Sequence, residues 1–179
     1  MLSRLQIAVL LLLAMFAGCR SPSTEARKEL AASSSEIERF YHLGSAAIEH
    51  LDEGNIEDAR NLANELAALT PKFPNDWNYG NAIQDSNQVL GRIALIEGRV
   101  DDAKEYLLKS GDTPGSPQLN SFGPNMTLAK ELLDEGETKV VLEYFDLCRN
   151  FWDMHSDDLN KWERQVKAGK TPDWYMRLD

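Results

Sequence analysis

Apolar residues recur every three or four positions between residues 87 and 108, in two runs separated by a polar break. This spacing is typical of the buried face of an amphipathic helix. The first run stops at Glu97-Gly98-Arg99, and the second begins at Val100. Glycine accepts the left-handed backbone that often ends a helix, so the stretch predicts two helices joined by a tight turn. Because such short helices cannot bury their apolar faces alone, we expect similar helices beside them.

The same pattern of helix, glycine turn and helix occurs once on each side of this stretch. Its turns contain Gly54 and Gly136, and each glycine follows a glutamate, as Gly98 does. After the third pair, Leu159 and Trp162 mark one more helical apolar face. The pattern predicts an all-α fold of about three antiparallel helix pairs followed by a C-terminal capping helix.

The three turns resemble those of tetratricopeptide repeats. In that family a glycine closes the first helix of each pair, and an alanine five places later lets the second helix pack closely. Ala59 and Ala103 hold that alanine position, and Val141 replaces it in the third pair. The resemblance covers residues 40–152 and implies a short solenoid, in which the first helix of each pair lines a concave surface that binds a protein or peptide.

Residues 1–19 have the layout of a secretory signal, with Arg4 before a short apolar run and small residues at the end. The run is too short for a comfortable transmembrane helix. Its ending, Phe16-Ala17-Gly18-Cys19, resembles the bacterial lipobox, which implies cleavage before Cys19 and attachment of lipid to it. Since no aspartate follows Cys19, the resemblance also implies the periplasmic face of the outer membrane. The alternative is an ordinary signal peptide with a cysteine nearby by chance.

The rest of the chain divides by composition. Residues 20–35 are polar and rich in serine and alanine, which predicts a flexible tether. Residues 36–155 form the repeat domain, and residues 156–179 form the capping helix and a tail. Within the repeat domain, residues 112–125 contain three prolines and two glycines, so we expect no regular structure there. We nevertheless expect this long loop to be ordered, with Leu119 and Phe122 anchored on the helices.

The composition narrows the function classes further. Apolar residues make up 42% of the chain, which is enough for a core. The formal net charge of −10 repels nucleic acid and anionic lipid headgroups, so neither is an expected ligand. The two cysteines are Cys19 and Cys148, and lipidation of the first leaves no pair for a disulfide.

Catalytic, metal-binding and cofactor-binding patterns are missing from the sequence. It contains neither of the common glycine-rich phosphate loops. The three histidines, at positions 42, 50 and 155, are too far apart in sequence to suggest a metal site. Cys148 lies on an apolar stripe, which favours an inert buried thiol. The paired aspartates start predicted helices, where negative charge is stabilising. We therefore predict no catalytic residue, no metal and no cofactor, and expect a protein that is not an enzyme.

The candidate partner-binding residues follow from the resemblance, because they hold outward positions on the predicted first helices. They are Asp85, Gln88, Arg92, Met126 and Lys130. Arg92 and Lys130 are cations on an acidic protein, and arginine can bind a carboxylate through two hydrogen bonds. We therefore expect a peptide partner with an acidic group near Arg92. The alternatives are a merely solvated face, or surface pairing of Arg92 with Asp85 or Glu97.

Three functions are compatible with this pattern. The preferred one is a lipid-anchored interaction or scaffold protein of the bacterial cell envelope, with a protein or peptide partner in its groove. The second is a small-ligand-binding protein or enzyme that uses the region from Trp77 to Arg92 and the loop from Pro114 to Asn125. The third is a structural envelope protein that oligomerises through its end helices, which would require an uncovered apolar face on the last helix.

Overall fold

The computed structural model describes residues 25–152 and 156–174. Over these ranges the chain forms nine α-helices and no strand, which confirms the all-α class. The signal peptide and Cys19 lie outside the described residues. None of the described helices combines the length and the apolar character needed to cross a membrane. The helices are α1 Glu25–Ala32, α2 Glu36–Asp52, α3 Ile56–Leu69, α4 Tyr79–Ile96, α5 Val100–Gly111, α6 Pro117–Phe122, α7 Thr127–Asp134, α8 Thr138–Cys148 and α9 Ser156–Lys167.

Three glycine turns join α2 to α3, α4 to α5 and α7 to α8, as the sequence predicts. The glycines have positive φ angles, 79° at Gly54, 74° at Gly98 and 86° at Gly136. Each turn uses the same two hydrogen bonds. In the middle turn, Gly98 N donates to Leu95 O at 2.9 Å and Arg99 N donates to Ala94 O at 2.8 Å. The left-handed glycine thus satisfies carbonyl groups that the helix end leaves free.

The first helices of the three pairs are neighbours, because α2 packs on α4 and α4 packs on α7. Close approach between α4 and α7 depends on a glycine. A Cβ atom added at Gly91 would lie 2.3 Å from Leu128 Cδ2 and 2.9 Å from Tyr106 Cβ. Ala103, on the second helix of the same pair, is fully buried. The burial of Ala103 agrees with the close packing that the resemblance implies there, and Gly91 marks a second close approach between helices.

Helix α1 differs from the flexible tether expected for residues 20–35. It packs on α2, and its Leu30 is buried. Its Arg27 donates two hydrogen bonds, of 2.7 and 2.6 Å, to the carboxylate of Glu53. Strong helix formers around one buried leucine give this segment enough contact to dock. The serine-rich composition that suggests a tether instead supplies a helix cap, since Ser35 Oγ accepts from Glu38 N at 3.3 Å.

The loop after α5 is ordered, as expected, but it contains helix α6, so the expectation of no regular structure there is wrong. Pro117 occupies the first turn of α6, where a missing N–H costs nothing. Ser116 Oγ accepts a hydrogen bond from Leu119 N at 2.9 Å and so caps the helix. Leu119 is buried as expected, whereas Phe122 is 63% exposed, so its expected anchoring on the helices is wrong.

The C-terminal helix α9 covers α8. Its apolar residues Leu159, Trp162 and Val166 are buried, and Trp174 of the tail contacts the Trp162 ring edge-on with ring centres 6.2 Å apart. Leu159, Trp162 and Val166 therefore do not form the uncovered apolar face that would favour oligomerisation through this helix. The last five residues of the chain, 175–179, lie outside the described residues.

Candidate partner-binding face

The five candidate partner-binding residues do not share one surface. Asp85 and Arg92 lie seven positions apart on α4, and so face the same way. Lys130 lies on α7, next to α4. Gln88 and Met126, by contrast, are 2% and 0% exposed and lie in the interior. The prediction is therefore wrong for these two residues as surface contacts.

Gln88 is buried because it joins three helices by hydrogen bonds. Its Nε2 donates to Ser110 Oγ of α5 at 3.0 Å, and its Oε1 accepts from Leu128 N of α7 at 3.3 Å. Met126 immediately precedes α7 and is fully buried in the same core cluster as Tyr144. Helical spacing identifies a polar residue at the edge of the apolar stripe, but not a polar partner on another helix.

Two titratable side chains in the interior near Gln88 are buried. Tyr144 is fully buried, and its hydroxyl donates to Asn125 O at 2.8 Å. Burial raises the pKa of the Tyr144 phenol well above its usual value, and it also raises the pKa of the Cys148 thiol. Both groups are neutral near pH 7. The expected burial of Cys148 is confirmed, and a buried thiol with a raised pKa favours the expectation that it is inert.

Arg92 is engaged by two carboxylates on neighbouring helices. Its Nη1 donates to Asp52 Oδ1 on α2 at 3.0 Å, and its Nε donates to Glu131 Oε1 on α7 at 3.0 Å. It pairs with neither of the residues considered from the sequence, Asp85 or Glu97. Arg92 therefore ties the three first helices together, and its charge is already compensated.

Lys130 is likewise paired, and its partner lies on its own helix. Its Nζ donates to Asp134 Oδ2 at 2.8 Å across one turn of α7. Its side chain is 41% exposed, so water screens this ion pair. The two cations expected to attract an acidic partner are therefore both neutralised by the protein itself.

Asp85 lies between α2 and α4, where its carboxylate covers Gly44. A Cβ atom added at Gly44 would be 2.6 Å from Asp85 Oδ2, so α2 leaves room for this carboxylate only by having no side chain there. The side chain is half-buried, and among the described residues it has no hydrogen-bond or ion-pair partner. Burial raises the pKa of Asp85 to about 7.

An aromatic pair lies one helical turn from Gly44 along α2. The Trp77 and Tyr41 rings stack with their centres 5.4 Å apart and their planes 25° apart. Tyr41 OH donates to Asp76 Oδ2 at 2.9 Å, which fixes its ring. Trp77 is 49% exposed although tryptophan is usually well buried. The sequence places Trp77 in a loop but gives no sign that its ring is open to solvent.

We call the surface that carries these groups the α2–α4 face. Successive positions at helical spacing along α2 and α4 form it, together with the tryptophan that precedes α4. Its residues are Tyr41, Ser45, Ile48 and Asp52 of α2, Trp77, and Asp85 and Arg92 of α4.

The loop proposed for small-ligand binding uses its polar groups to dock on α4. Ser116 Oγ donates to Asn81 Oδ1 at 2.5 Å, and Asn81 Nδ2 donates to Gln118 Oε1 at 3.3 Å. A Cβ atom added at Gly80 would lie 1.9 Å from Gly115 O, so the two backbones are in close contact. These side chains hold the loop against α4 by bonding one another.

Elsewhere, a depression of about 450 Å³ lies between α5 and α8. Its central cation, Lys104, is paired with Asp101 at 2.6 Å and Glu137 at 3.4 Å. Over the described ranges, no group of three or more histidine, cysteine, aspartate or glutamate side chains is arranged to hold a metal ion. The α2–α4 face therefore stands out by combining an exposed aromatic ring with an unpaired carboxylate.

Comparison of the chain with protein-family models, with curated proteins and with solved structures found no match. Its function must therefore be inferred from its own residues.

Proposed function

We propose that this chain is a lipid-anchored, tetratricopeptide-like interaction protein of the bacterial cell envelope. Its concave surface, formed by α2, α4 and α7, binds a protein or peptide partner. The anchor is lipid on Cys19, which holds the protein at the periplasmic face of the outer membrane.

The observation that carries the proposal is the side-by-side packing of α2, α4 and α7. Arg92 on the middle helix bonds to Asp52 and Glu131 on its two neighbours. The three pairs also share one turn geometry at their glycines, which supports the interpretation that they are copies of one unit. In a solenoid such stacking produces an extended surface that suits a peptide better than a small molecule.

The contacts of the loop between α5 and α7 also favour an interaction protein over an enzyme. In an active site, polar groups converge on a space where substrate binds. Here Ser116, Asn81 and Gln118 converge on each other and dock the loop.

Lipidation is tested by the Cys19→Ser variant. We expect an uncut, unlipidated precursor, because the lipid is attached to the cysteine sulfur. Metabolic labelling with an alkyne-tagged fatty acid and intact-mass measurement will show this directly. The Cys148→Ser variant is the control and should be labelled normally. Normal cleavage and membrane retention of Cys19→Ser would overturn the anchor.

The binding surface is tested by photo-crosslinking in cells. A photoreactive phenylalanine derivative replaces Ser45, which is exposed on the α2–α4 face, or Glu57, which is 81% exposed on α3. We expect a discrete crosslinked product from position 45 that is missing from position 57. If both positions give the same products, or if neither gives any, the surface does not bind a protein partner.

A further inference from the structure

One carboxylate on the α2–α4 face lacks a partner, although its charged neighbours are all paired. Arg92 and Asp52 bond each other, Lys130 bonds Asp134, and Asp76 accepts from the Tyr41 hydroxyl. Asp85 alone among these described groups has neither a hydrogen bond nor an ion pair. A half-buried ionised carboxylate that lacks a partner destabilises the fold, so its position calls for a function.

The surroundings of Asp85 suit a cation. The Asp85 carboxylate covers Gly44, and the backbone position of Tyr41 lies about 5 Å before Gly44 along the axis of α2. Trp77 extends the aromatic surface and is half exposed. Aromatic faces attract ammonium and guanidinium groups and also pack against the methylene stems of lysine and arginine. The overall charge of −10 draws cations to the protein in general.

We propose that the α2–α4 face binds a lysine or arginine side chain of an extended partner peptide, with Asp85 accepting its hydrogen bonds and Tyr41 and Trp77 contacting its stem. The inference rests on the proposed function, that this face binds a peptide. The sequence suggests an acidic partner group near Arg92, whereas this inference predicts a basic one at Asp85. The reason is that the charge of Arg92 is already compensated and that of Asp85 is not.

Because Asp85 is partly buried, binding at this site should depend on pH. Since burial raises the pKa of Asp85 to about 7, the carboxyl is largely protonated at pH 6 and largely ionised at pH 8. Lysine and arginine remain charged over this range. The other charged groups on this face are Asp52 and Arg92, which pair with each other, and Asp76 beside it accepts from Tyr41. Binding should therefore strengthen as the pH rises from 6 to 8.

The test uses the full chain in detergent and four fluorescent pools of nine-residue peptides. Each pool has a fixed central residue, lysine, arginine, glutamine or glutamate, within randomised neutral flanks. Fluorescence anisotropy at pH 6 and pH 8 measures the affinity. We expect the lysine and arginine pools to bind at least ten times more tightly than the glutamine pool at pH 8. The advantage should shrink several-fold at pH 6.

Two variants remove the same charge from different places. Asp85→Asn should abolish both the preference for basic peptides and its pH dependence, while a thermal melt confirms folding. Asp101→Asn removes a carboxylate that is 93% exposed on α5, so it should keep both properties. This pair separates a specific contact from the general attraction between an acidic protein and cationic peptides.

The outcomes distinguish this inference from the proposed function. Equal binding of the lysine, arginine and glutamine pools would overturn the inference and leave peptide binding standing. A basic preference that survives in Asp85→Asn would also overturn it, because the contact would then lie elsewhere. If no pool binds while position 45 still crosslinks to a protein, the partner is not an extended basic peptide. If neither experiment detects a partner, both proposals fall.

Discussion

Two joints connect the successive helix pairs, and each places a side chain of one helix over a glycine of the helix before it. At the first joint, between α2 and α4, Asp85 covers Gly44. At the second, between α4 and α7, Leu128 covers Gly91. The side chains have the same branching, since both aspartate and leucine fork at the γ position. Their chemistry is opposite, because Leu128 is fully buried and apolar whereas Asp85 is half-buried and acidic.

The side chain at the second joint stabilises the fold, whereas the side chain at the first joint does not. The second joint buries an apolar side chain, which stabilises the stack by about 2 kcal/mol. The first joint could have been filled in the same way, but it holds a carboxylate that lacks a partner within the described structure. The proposed basic-peptide site would give that carboxylate a use, and loss of function is the recurrent cost when such a destabilising group is replaced.

The largest expected effect comes from overfilling the second joint. Gly91→Leu should destabilise the protein by about 3 kcal/mol, because its Cβ alone would collide with Leu128 and Tyr106. Urea unfolding will measure the loss. Ser45→Leu adds the same side chain at an exposed position of α2 and should change little. An unchanged unfolding midpoint in Gly91→Leu would show that α4 and α7 do not meet there.

The next largest effect is a gain in stability, expected when the first joint is given an apolar side chain like that of the second. Asp85→Leu should stabilise the protein by about 2 kcal/mol at pH 8, because it replaces an unpaired carboxylate with an apolar side chain of similar shape. Urea unfolding at pH 8 is the measurement. Loss of stability would mean that Asp85 has a partner in the folded protein after all.

The gain should depend on pH in a defined direction. A raised pKa means that the folded protein holds the Asp85 proton more tightly than the unfolded chain does. Ionisation of the buried carboxyl therefore lowers the stability of the folded protein. This loss is absent below the usual pKa of 3.8, grows as the pH rises to about 7, and is then constant. The stability difference between Asp85→Leu and the unaltered protein should therefore widen between pH 5 and pH 8. A difference that does not change with pH would contradict the buried carboxyl.

A smaller loss is expected from Arg92, which spans both joints. Arg92→Ala removes hydrogen bonds to Asp52 and Glu131 and leaves two carboxylates facing each other across α4. Because both acids are partly exposed, we expect a loss of about 1 kcal/mol rather than the larger cost of a buried ion pair. The loss should diminish at high salt. A protein that unfolds at the same urea concentration would show that Arg92 does not bridge the helices in solution.

The smallest effect belongs to Lys130. Its pair with Asp134 is exposed and lies within one helix, so Lys130→Ala should cost less than about 0.5 kcal/mol. The melting temperatures of Lys130→Ala and Arg92→Ala, measured side by side, compare the two losses. A loss as large as that of Arg92→Ala would mean that Lys130 has a partner beyond its own helix.

The sequence predicts the parts of the fold that local chemistry decides. Helix spacing and a glycine with a positive φ angle determine the turn at Gly98, and the same holds for Gly54 and Gly136. The sequence does not predict helices α1 and α6, because each is short and depends on one buried leucine, Leu30 or Leu119. Such a helix forms only when a surface elsewhere in the chain receives that residue.

The candidate site is predicted less well because it depends on contacts between helices. Gln88 belongs to the interior since Ser110, on another helix, accepts its hydrogen bond. Arg92 is compensated because α2 and α7 each bring a carboxylate to it. Asp85 is distinguished by the lack of such a contact, and a missing contact cannot be read from helical spacing. The sequence places Asp85 and Arg92 on one face of α4, but it does not show which of the two charges is already compensated.

If the chain is anchored as proposed, helix α1 also limits how far it can extend from the membrane. With lipid on Cys19, as proposed, residues 20–24 separate the anchor from the first residue of α1, Glu25. At no more than about 3.6 Å per residue, this stretch spans roughly 20 Å even when fully extended. Since α1 is docked on α2, it cannot lengthen the connection without losing its contacts. A partner would therefore have to meet the α2–α4 face close to the bilayer surface, which favours partners that are themselves membrane-bound or pass close to it.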